Sequence, residues 1–307
     1  MTATPSGIPR SLWERIEDRL ACPVCSGALA PAQETLTCEG CRAVYPVKDG
    51  ILDLRPADIT AKPEFQDWTS HWSSDNQRTF AQRFFSFYRK SVFARTVAHF
   101  VNGYFPESGV FLEAGSGTSE TSHLINKHGG DRVLIAADII VPVLHDCDPV
   151  MDLRAGADIF RLPFRTNSID GIWNVGVMEH FLHDQIDRIM AEFHRVLKPG
   201  GVVILLWPAT DSLPQKGLRL VERVVNAWKK DSVLKFHPDE ISQLRSSREG
   251  REVLNRNQFE VETIDWGLWS LMAFKVPVGK KSLAPSGSVT SPALAAEGAS
   301  HQGDKGW

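Results

Sequence analysis

The sequence has no hydrophobic run long enough to cross a bilayer. Its longest apolar stretch, around Gly201–Trp207, is strand-sized, so no membrane span is expected. The amino terminus, MTATPSGIPRSLWERIEDRL, has no apolar core, so a secretory signal is not expected either. An excess of charge is also missing: 34 Lys and Arg stand against 37 Asp and Glu, for a formal charge of -3 and a pI near 6.4. That balance leaves no overall footprint for nucleic acid, although a local patch stays open. A soluble cytoplasmic protein is the expectation. Cysteine is scarce, five in 307 residues, and four of the five lie close together. A disulfide framework goes with secretion, so metal binding is the better reading.

Those four cysteines form CPVC (Cys22, Cys25) and CEGC (Cys38, Cys41), two knuckles separated by twelve residues. Four thiolates at the corners of a tetrahedron suit structural Zn2+ and close its coordination shell, which leaves no position for a reacting water. The alternative is a vestigial module without metal. Ser11 to Leu20 is expected to be a helix capped by Ser11, with Glu14 three residues on. The following AVYPVKDGILDL has strand-like residues around a turn at Asp49-Gly50. The stretch from Leu20 to Leu54, ending YP-x-x-DGI-x-x-L, resembles the small zinc-ribbon domain that accompanies methyltransferases, fused or as a separate subunit. The resemblance implies a helper or recognition module, open to a protein partner.

Residues 61–109 form a connector. From Asn76 to Asn102 there is no acid, while Arg78, Arg83, Arg89, Lys90 and Arg95 mix with aromatics. Phe80, Phe84, Phe87 and Tyr88 recur at helical spacing. A helix packing its aromatics on the next domain is favoured over a basic aromatic surface for RNA, an anion or a membrane interface.

The large domain, residues 110–278, alternates strand-like and helical segments, the pattern of an α/β parallel sheet. Strands are expected near Val110–Leu112, Arg132–Ala137, Gly171–Asn174, Gly201–Trp207, Phe259–Ile264 and Leu271–Val276. Helices are expected near Glu120–His128, His183–Leu197 and Lys216–Lys230, with another over HPDEISQLRSSREGREVL. The first strand reaches Glu113 and breaks into GSGTSE, Gly115 to Glu120. A dinucleotide fingerprint needs glycine at position 120, where the pyrophosphate meets the helix. Glu120 is repulsive there, and no phosphate-cradling Gly-Lys-Ser/Thr exists, so the ligand is expected to lack a phosphate.

An acid followed by Gly-x-Gly-x-small resembles the first motif of class I S-adenosylmethionine-dependent methyltransferases, with Ser119 in place of their third glycine. Three further segments match in order. LIAAD ends on Asp138, AD-x-x-x-LPF carries Asp158, and RTNSIDGIWN-x-x-x-MEHF precedes HRVLKPGG. The resemblance implies a Rossmann-like, mostly parallel seven-stranded sheet with helices on both faces, preceded by the β-rich ribbon. It also implies S-adenosyl-L-methionine as cofactor. Asp138 would then hold the ribose hydroxyls and Asp158 the adenine amino group, with Ile159 over the ring and Asp152 competing for the role of Asp158. Gly115, Gly117 and the backbone of Asn174 would border the methionyl end near Glu113. The physical chemistry agrees, because a sulfonium, an ammonium, two hydroxyls and an amino group all favour anionic or acceptor partners.

Methyl transfer is an in-line displacement that draws much of its rate from orientation. His180 is the first candidate for a base, with Glu179 and His183 nearby. Ubiquinone-pathway relatives carry E-x-x-E-H here; this chain has Gly176 in place of the first acid, which argues against a catalytic metal. Cys147 stands between Asp146 and Asp148, whose charges oppose thiolate formation. Trp228, Phe236, Trp266 and Trp269 are candidates for an aromatic wall over the substrate, or for ordinary core. Residues 279–307 are Ser/Ala/Gly/Pro-rich and expected to be a disordered tail. A small-molecule acceptor is favoured, RNA is the alternative, and a non-enzymatic partner-binding scaffold is the third reading. The ribbon (1–60) is expected to be separable, so that chelation would spare cofactor binding.

Overall fold

The structure is a computed structural model and describes residues 3–59, 88–209, 242–267 and 273–283. The expected helix at Lys216–Lys230, the aromatics Phe80, Phe84 and Phe87, and Trp228, Phe236 and Trp269 lie outside those residues.

The ribbon begins with helix α1, Arg10–Ile16, one residue earlier than the capping signal suggests. Pro9 precedes it, and Ser11 is inside the helix, so its side chain does no capping. Trp13 and Ile16 share the buried face, the i, i+3 spacing of a helix stripe. Strands β1 (Leu29–Pro31), β2 (Thr35–Cys38), β3 (Val44–Lys48) and β4 (Ile51–Asp53) follow as an antiparallel meander. The β3–β4 turn is Asp49-Gly50 with both φ positive, +53° and +71°, as a two-residue hairpin requires.

In the large domain the strands are β5 (Gly109–Ala114), β6 (Arg132–Asp138), β7 (Leu153–Gly156), β8 (Ile169–Val175), β9 (Leu197–Pro208), β10 (Phe259–Asp265) and β11 (Phe274–Lys281). The last begins later than the expected Leu271–Val276, because its register against β9 starts at Phe274 opposite Pro208. It also carries the chain through Lys281, whose ammonium donates to the Asn167 side chain and the His194 and Leu197 carbonyls. The seven strands run β7-β6-β5-β8-β9-β11-β10, with β11 antiparallel to both neighbours and the other pairings parallel. Ribbon and domain share one eleven-stranded sheet, because β4 pairs in parallel with β7 at the edge.

Helix α2 (Ala94–Tyr104), entered through a π-turn at Arg89–Phe93, buries Val97, Phe100 and Val101 with Phe111 and Trp173 in one core layer. A short α3 spans Val141–Leu144. The other layer holds α4 (His183–Val196), which buries Ile186, Ile189, Met190, Phe193 and Val196. Trp13, Ile16, Leu36 and Leu52 of the ribbon belong to that same layer. Helix α5 (Ser247–Arg256) is shorter than expected: Ser246 caps it by accepting the Glu249 N–H, which fixes its start.

The helix expected at Glu120–His128 is absent. The segment is a run of turns, with Ser119 at φ +52° and successive bonds from Ser122 N–H to Ser119 and Ile125 N–H to Ser122. Hydroxyl side chains here offer the backbone local alternatives to a helix. Arg132 then takes the Asn126 carbonyl, together with those of Phe105 and Pro106 and the Asn102 side chain, and pins the segment from below.

Candidate functional site

The four thiols converge as their spacing requires. Their sulfurs all lie within 4.8 Å of one another, with Cys25–Cys38 at 3.4 Å and Cys22–Cys41 at 3.6 Å. Sulfurs bound to one ion at about 2.3 Å would be separated by distances of this order. The Cys41 N–H points at the Cys38 sulfur, and the Tyr45 hydroxyl lies 3.1 Å from that of Cys22. Both contacts suit thiolate ligands. The set fits a structural zinc.

The second site lies at the carboxyl ends of the parallel strands. Gly115 and Ser116 donate to the Ala137 carbonyl, which fastens the glycine turn after β5 to β6. Gly115 has φ +74°, and a Cβ there would come within 2.8 Å of Val177, so the turn is built for close backbone approach. Asp138, at the end of β6, is nearly enclosed; one oxygen accepts the Gly117 N–H at 2.7 Å and the other the Ile140 N–H at 2.9 Å. Burial pushes its carboxyl up, opposed by those bonds and by the nearby Arg55 charge.

Asp158 follows the end of β7, buried, accepting the Phe160 N–H at 3.0 Å. Ile159 packs half-buried against the core beside it. Asp152 stands at the opposite end of β7, where it accepts the Leu134 N–H and pairs with Lys127. The geometry thus puts Asp158, not Asp152, on the edge shared with Asp138.

Glu113 is 2% exposed and accepts the Ser122 hydroxyl at 2.9 Å. Burial raises its carboxyl to about 7, against the pull of Ser119, Ser122, Trp173 and Arg89. Asn174, near the end of β8, is buried with neither amide atom hydrogen-bonded among the described residues. An orphaned amide near the end of a strand is what a polar ligand would satisfy. Glu179 and His180 form a short 3-10 turn after β8, with His180 Nε2 3.6 Å from Glu179 Oε1. Cys147 packs beside the turn, its sulfur 3.3 Å from the Ser119 hydroxyl. Burial pushes its thiol up to about 11, which opposes thiolate formation.

Three contributors carry no sequence motif. Arg55 grips both Asp53 oxygens at 2.7 Å and donates to the Ile139 carbonyl, next to Asp138. Arg89 pairs with Glu120 at 2.8 Å. Ser242 fastens the 178–181 turn by donating its N–H to Glu179 and placing its hydroxyl 3.0 Å and 2.8 Å from the Met178 and Phe181 carbonyls.

A doubly wound sheet in this strand order, with a glycine turn after its first strand and buried acids closing the next two, is a methyltransferase-like α/β fold. A methyltransferase-domain family matches residues 112–205, and a Trm112p-like protein family matches residues 18–50. An uncharacterized methyltransferase-like protein of Schizosaccharomyces pombe is 29% identical over 131 residues, covering 41% of this chain and 48% of that protein. The chain thus spans about half the length of that relative. A UPF0434 protein of Rhodopseudomonas palustris is 35% identical over 60 residues, 19% of this chain and 92% of that protein. Among solved structures, magnesium protoporphyrin IX methyltransferase of Synechocystis, with bound S-adenosylhomocysteine, is 15% identical at TM-score 0.47, covering 73% of this chain and 97% of that one. The chain carries, at its amino terminus, a Trm112p-like four-cysteine ribbon of the family of that UPF0434 protein, and its residues 112–205 match a methyltransferase domain. Among the described residues no helix is long and apolar enough to cross a membrane.

Proposed function

We propose that the protein transfers the methyl group of S-adenosylmethionine to a small-molecule acceptor. The observation that carries this reading is the line of buried acids, Glu113, Asp138 and Asp158, at the ends of three adjacent strands around a glycine turn. Asp138 holds the two ribose hydroxyls, its backbone contacts already fixing the carboxylate plane. Asp158 takes the adenine amino group and Ile159 covers the ring. Gly115, Gly117 and Asn174 line the methionyl end. When bound, the cofactor supplies a sulfonium methyl as electrophile. His180, whose Nε2 lies 3.6 Å from Glu179 Oε1, would take the acceptor's proton, with Glu179 orienting it. A small acceptor is favoured over RNA because residues 1–60 carry six Lys and Arg against eight Asp and Glu, so the ribbon offers no basic face for a phosphate backbone. The ribbon's role is to complete the sheet edge, and a protein partner on its outer face is compatible with that role.

Calorimetry with S-adenosylhomocysteine tests the reading: one site per chain is expected, and absence of binding sinks it. RNA binding that weakens steeply with salt would move the acceptor to RNA.

The buried Glu113 gives this binding a pH dependence. Its folded-state carboxyl stands near 7, above the ordinary value, so between those two values the folded chain holds a proton that the unfolded chain has lost. Its contribution therefore makes stability fall as pH rises through that window and level off above about 7. Cofactor ammonium favours the ionised acid, so affinity rises over the same window and binding at pH 6 releases a proton. Arg89 and the Cys147 thiol are the other titratable or charged groups coupled to it. Titrations in two buffers of different ionisation heat read that proton. Release undiminished in Glu113→Gln would assign it elsewhere.

A further inference from the structure

Strand β4 ends level with β7, Asp53 opposite Gly156, and the residues that follow, 54–59, stay beside the carboxyl ends of β7 and β6. Three buried residues seat them there. Leu54 donates its N–H to the Gly156 carbonyl at 2.9 Å, and Ile59 closes a turn on the carbonyl of the buried Pro56 at 3.0 Å. Glycine at 156 lets the chain pass this close, since a Cβ there would come within 2.9 Å of Asp53 Oδ1.

Two charged contacts leave this strap, one toward each nucleoside acid. Arg55 is gripped by both Asp53 oxygens at 2.7 Å and donates through Nη1 to the Ile139 carbonyl at 3.0 Å. All three guanidinium nitrogens are thus engaged, which holds the planar group in one orientation. Ile139 sits between Asp138 and Ile140, and the Ile140 N–H is one of the two that orient the Asp138 carboxylate. The Arg55 charge also favours the ionised form of Asp138, against burial. On the other side, Asp58 accepts from Arg161 Nη2 at 3.1 Å and 3.2 Å. Arg161 Nε lies 3.7 Å from the buried Asp158 Oδ2, and its backbone N–H donates to the Asp158 carbonyl at 2.9 Å. Each acid thus has beside it an arginine that is tied to the ribbon or belongs to it.

We propose that residues 53–58 are a positioning strap for the cofactor's nucleoside, Arg55 setting the ribose acid and Asp58, through Arg161, the adenine acid; the proposal rests on the cofactor reading above. Arg55 and Asp58 act through other residues, so they govern how sharply the site tells one nucleoside from another. The ribbon then contributes to cofactor selectivity as well as to the sheet edge.

Calorimetry on the full chain with three probes tests this. They are S-adenosylhomocysteine, its 3′-deoxy form, which lacks one ribose hydroxyl, and S-inosylhomocysteine, which has an oxo group in place of the adenine amino group. Wild-type protein is expected to bind each altered probe ~10-fold or more weakly than the parent, as loss of one hydrogen bond to a charged acceptor implies. Arg55→Met is expected to shrink the 3′-deoxy penalty to about 3-fold or less and to leave the inosyl penalty in place. Asp58→Asn is expected to do the reverse on a smaller scale, cutting the inosyl penalty about 2- to 5-fold, because the Asp58–Arg161 pair is exposed. Arg55→Lys keeps the charge and cannot make all three contacts, so it is expected to lose part of the 3′-deoxy penalty, and it serves if Arg55→Met does not fold. Weakening of all three probes by one common factor would make the strap a structural element alone, and unchanged penalties in both variants would remove it from the site; either result overturns the proposal. Wild-type protein that binds none of the probes, or binds the three alike, would overturn the reading of the acids themselves, a result distinct from failure of the strap.

Discussion

Stripping zinc from the ribbon is expected to cost the protein its cofactor affinity as well as its stability. The sequence suggests a detachable module, and the structure argues otherwise. Strand β4 pairs in parallel with β7, Leu52 opposite Ala155 and Asp53 opposite Gly156, and Leu54 donates to the Gly156 carbonyl. Residue 156 is the last of β7, two positions before Asp158. Arg55, held by both Asp53 oxygens, then reaches across to the Ile139 carbonyl, which follows Asp138. The ribbon's last strand is therefore a neighbour of the segments that carry both Asp138 and Asp158. At the other end of the sheet, Arg19 donates to the Ser168 carbonyl and Arg15 to those of Gly130 and Asp131.

Zinc binding by small cysteine modules is worth ~10–16 kcal/mol in isolated peptides. Here Trp13, Leu36 and Leu52 share a core with Leu112 and Ile135, so part of the ribbon's order survives without metal. A loss of ~4 kcal/mol, or about 10 °C in the unfolding midpoint, is a reasonable scale. The affinity for S-adenosylhomocysteine is expected to fall ~10-fold or more, because loosening β4 releases both acid-bearing loops. Thermal melts and calorimetry before and after chelation, repeated with Cys38→Ser, measure both effects. An unchanged dissociation constant in zinc-free protein would restore the picture of a separable ribbon.

What the sequence made legible was local. Two C-x-x-C knuckles announce a tetrahedral site because each half of the ligand set lies within one turn. The strands β5, β6, β8 and β9 announce themselves as apolar runs because both of their faces are covered. Asp138 was legible because it ends such a run. Asp158 was ambiguous because β7 is only four residues long and Asp152 flanks its other end, so periodicity could not tell the strand's exit from its entry. The missing helix after the glycine turn shows the limit of motif reading. Its family pattern is strong, yet Ser119 in the left-handed region, the Glu113–Ser122 bond and the Arg132 anchor stop the helix from starting. The contacts of Arg55 and Arg89 were invisible for a different reason. The Ile139 carbonyl that Arg55 holds is 84 residues away in sequence, and the acid that Arg89 meets lies beyond a helix and a strand. Such pairings come from topology, and no window of sequence contains them.

Asp138 carries the second large prediction. Its two oxygens already accept N–H groups from Gly117 and Ile140, one from the glycine turn and one from the loop after β6. Each oxygen keeps a second lone pair, and a carboxylate accepts four bonds where these contacts supply two. The remaining acceptor sites are what a ribose diol uses. Asp138→Ala would therefore remove the ligand's partners and leave two enclosed N–H groups without acceptors, at ~1–3 kcal/mol each. The expected result is a less stable protein with cofactor affinity lowered ~100-fold or more, the worth of two hydrogen bonds to a charged acceptor. Asp138→Asn separates the two effects. It keeps the volume and one carbonyl oxygen, turns the other contact into a donor facing a donor, and removes the charge, so affinity still falls steeply while the fold is largely retained. Ligands that lack one ribose hydroxyl make the assignment specific. Wild-type protein is expected to bind 2′-deoxy and 3′-deoxy S-adenosylhomocysteine at least ~10-fold more weakly than the parent, a preference that Asp138→Asn should erase. If the variant keeps the wild-type preference among these three ligands, Asp138 supports the glycine turn alone and the ribose is held elsewhere.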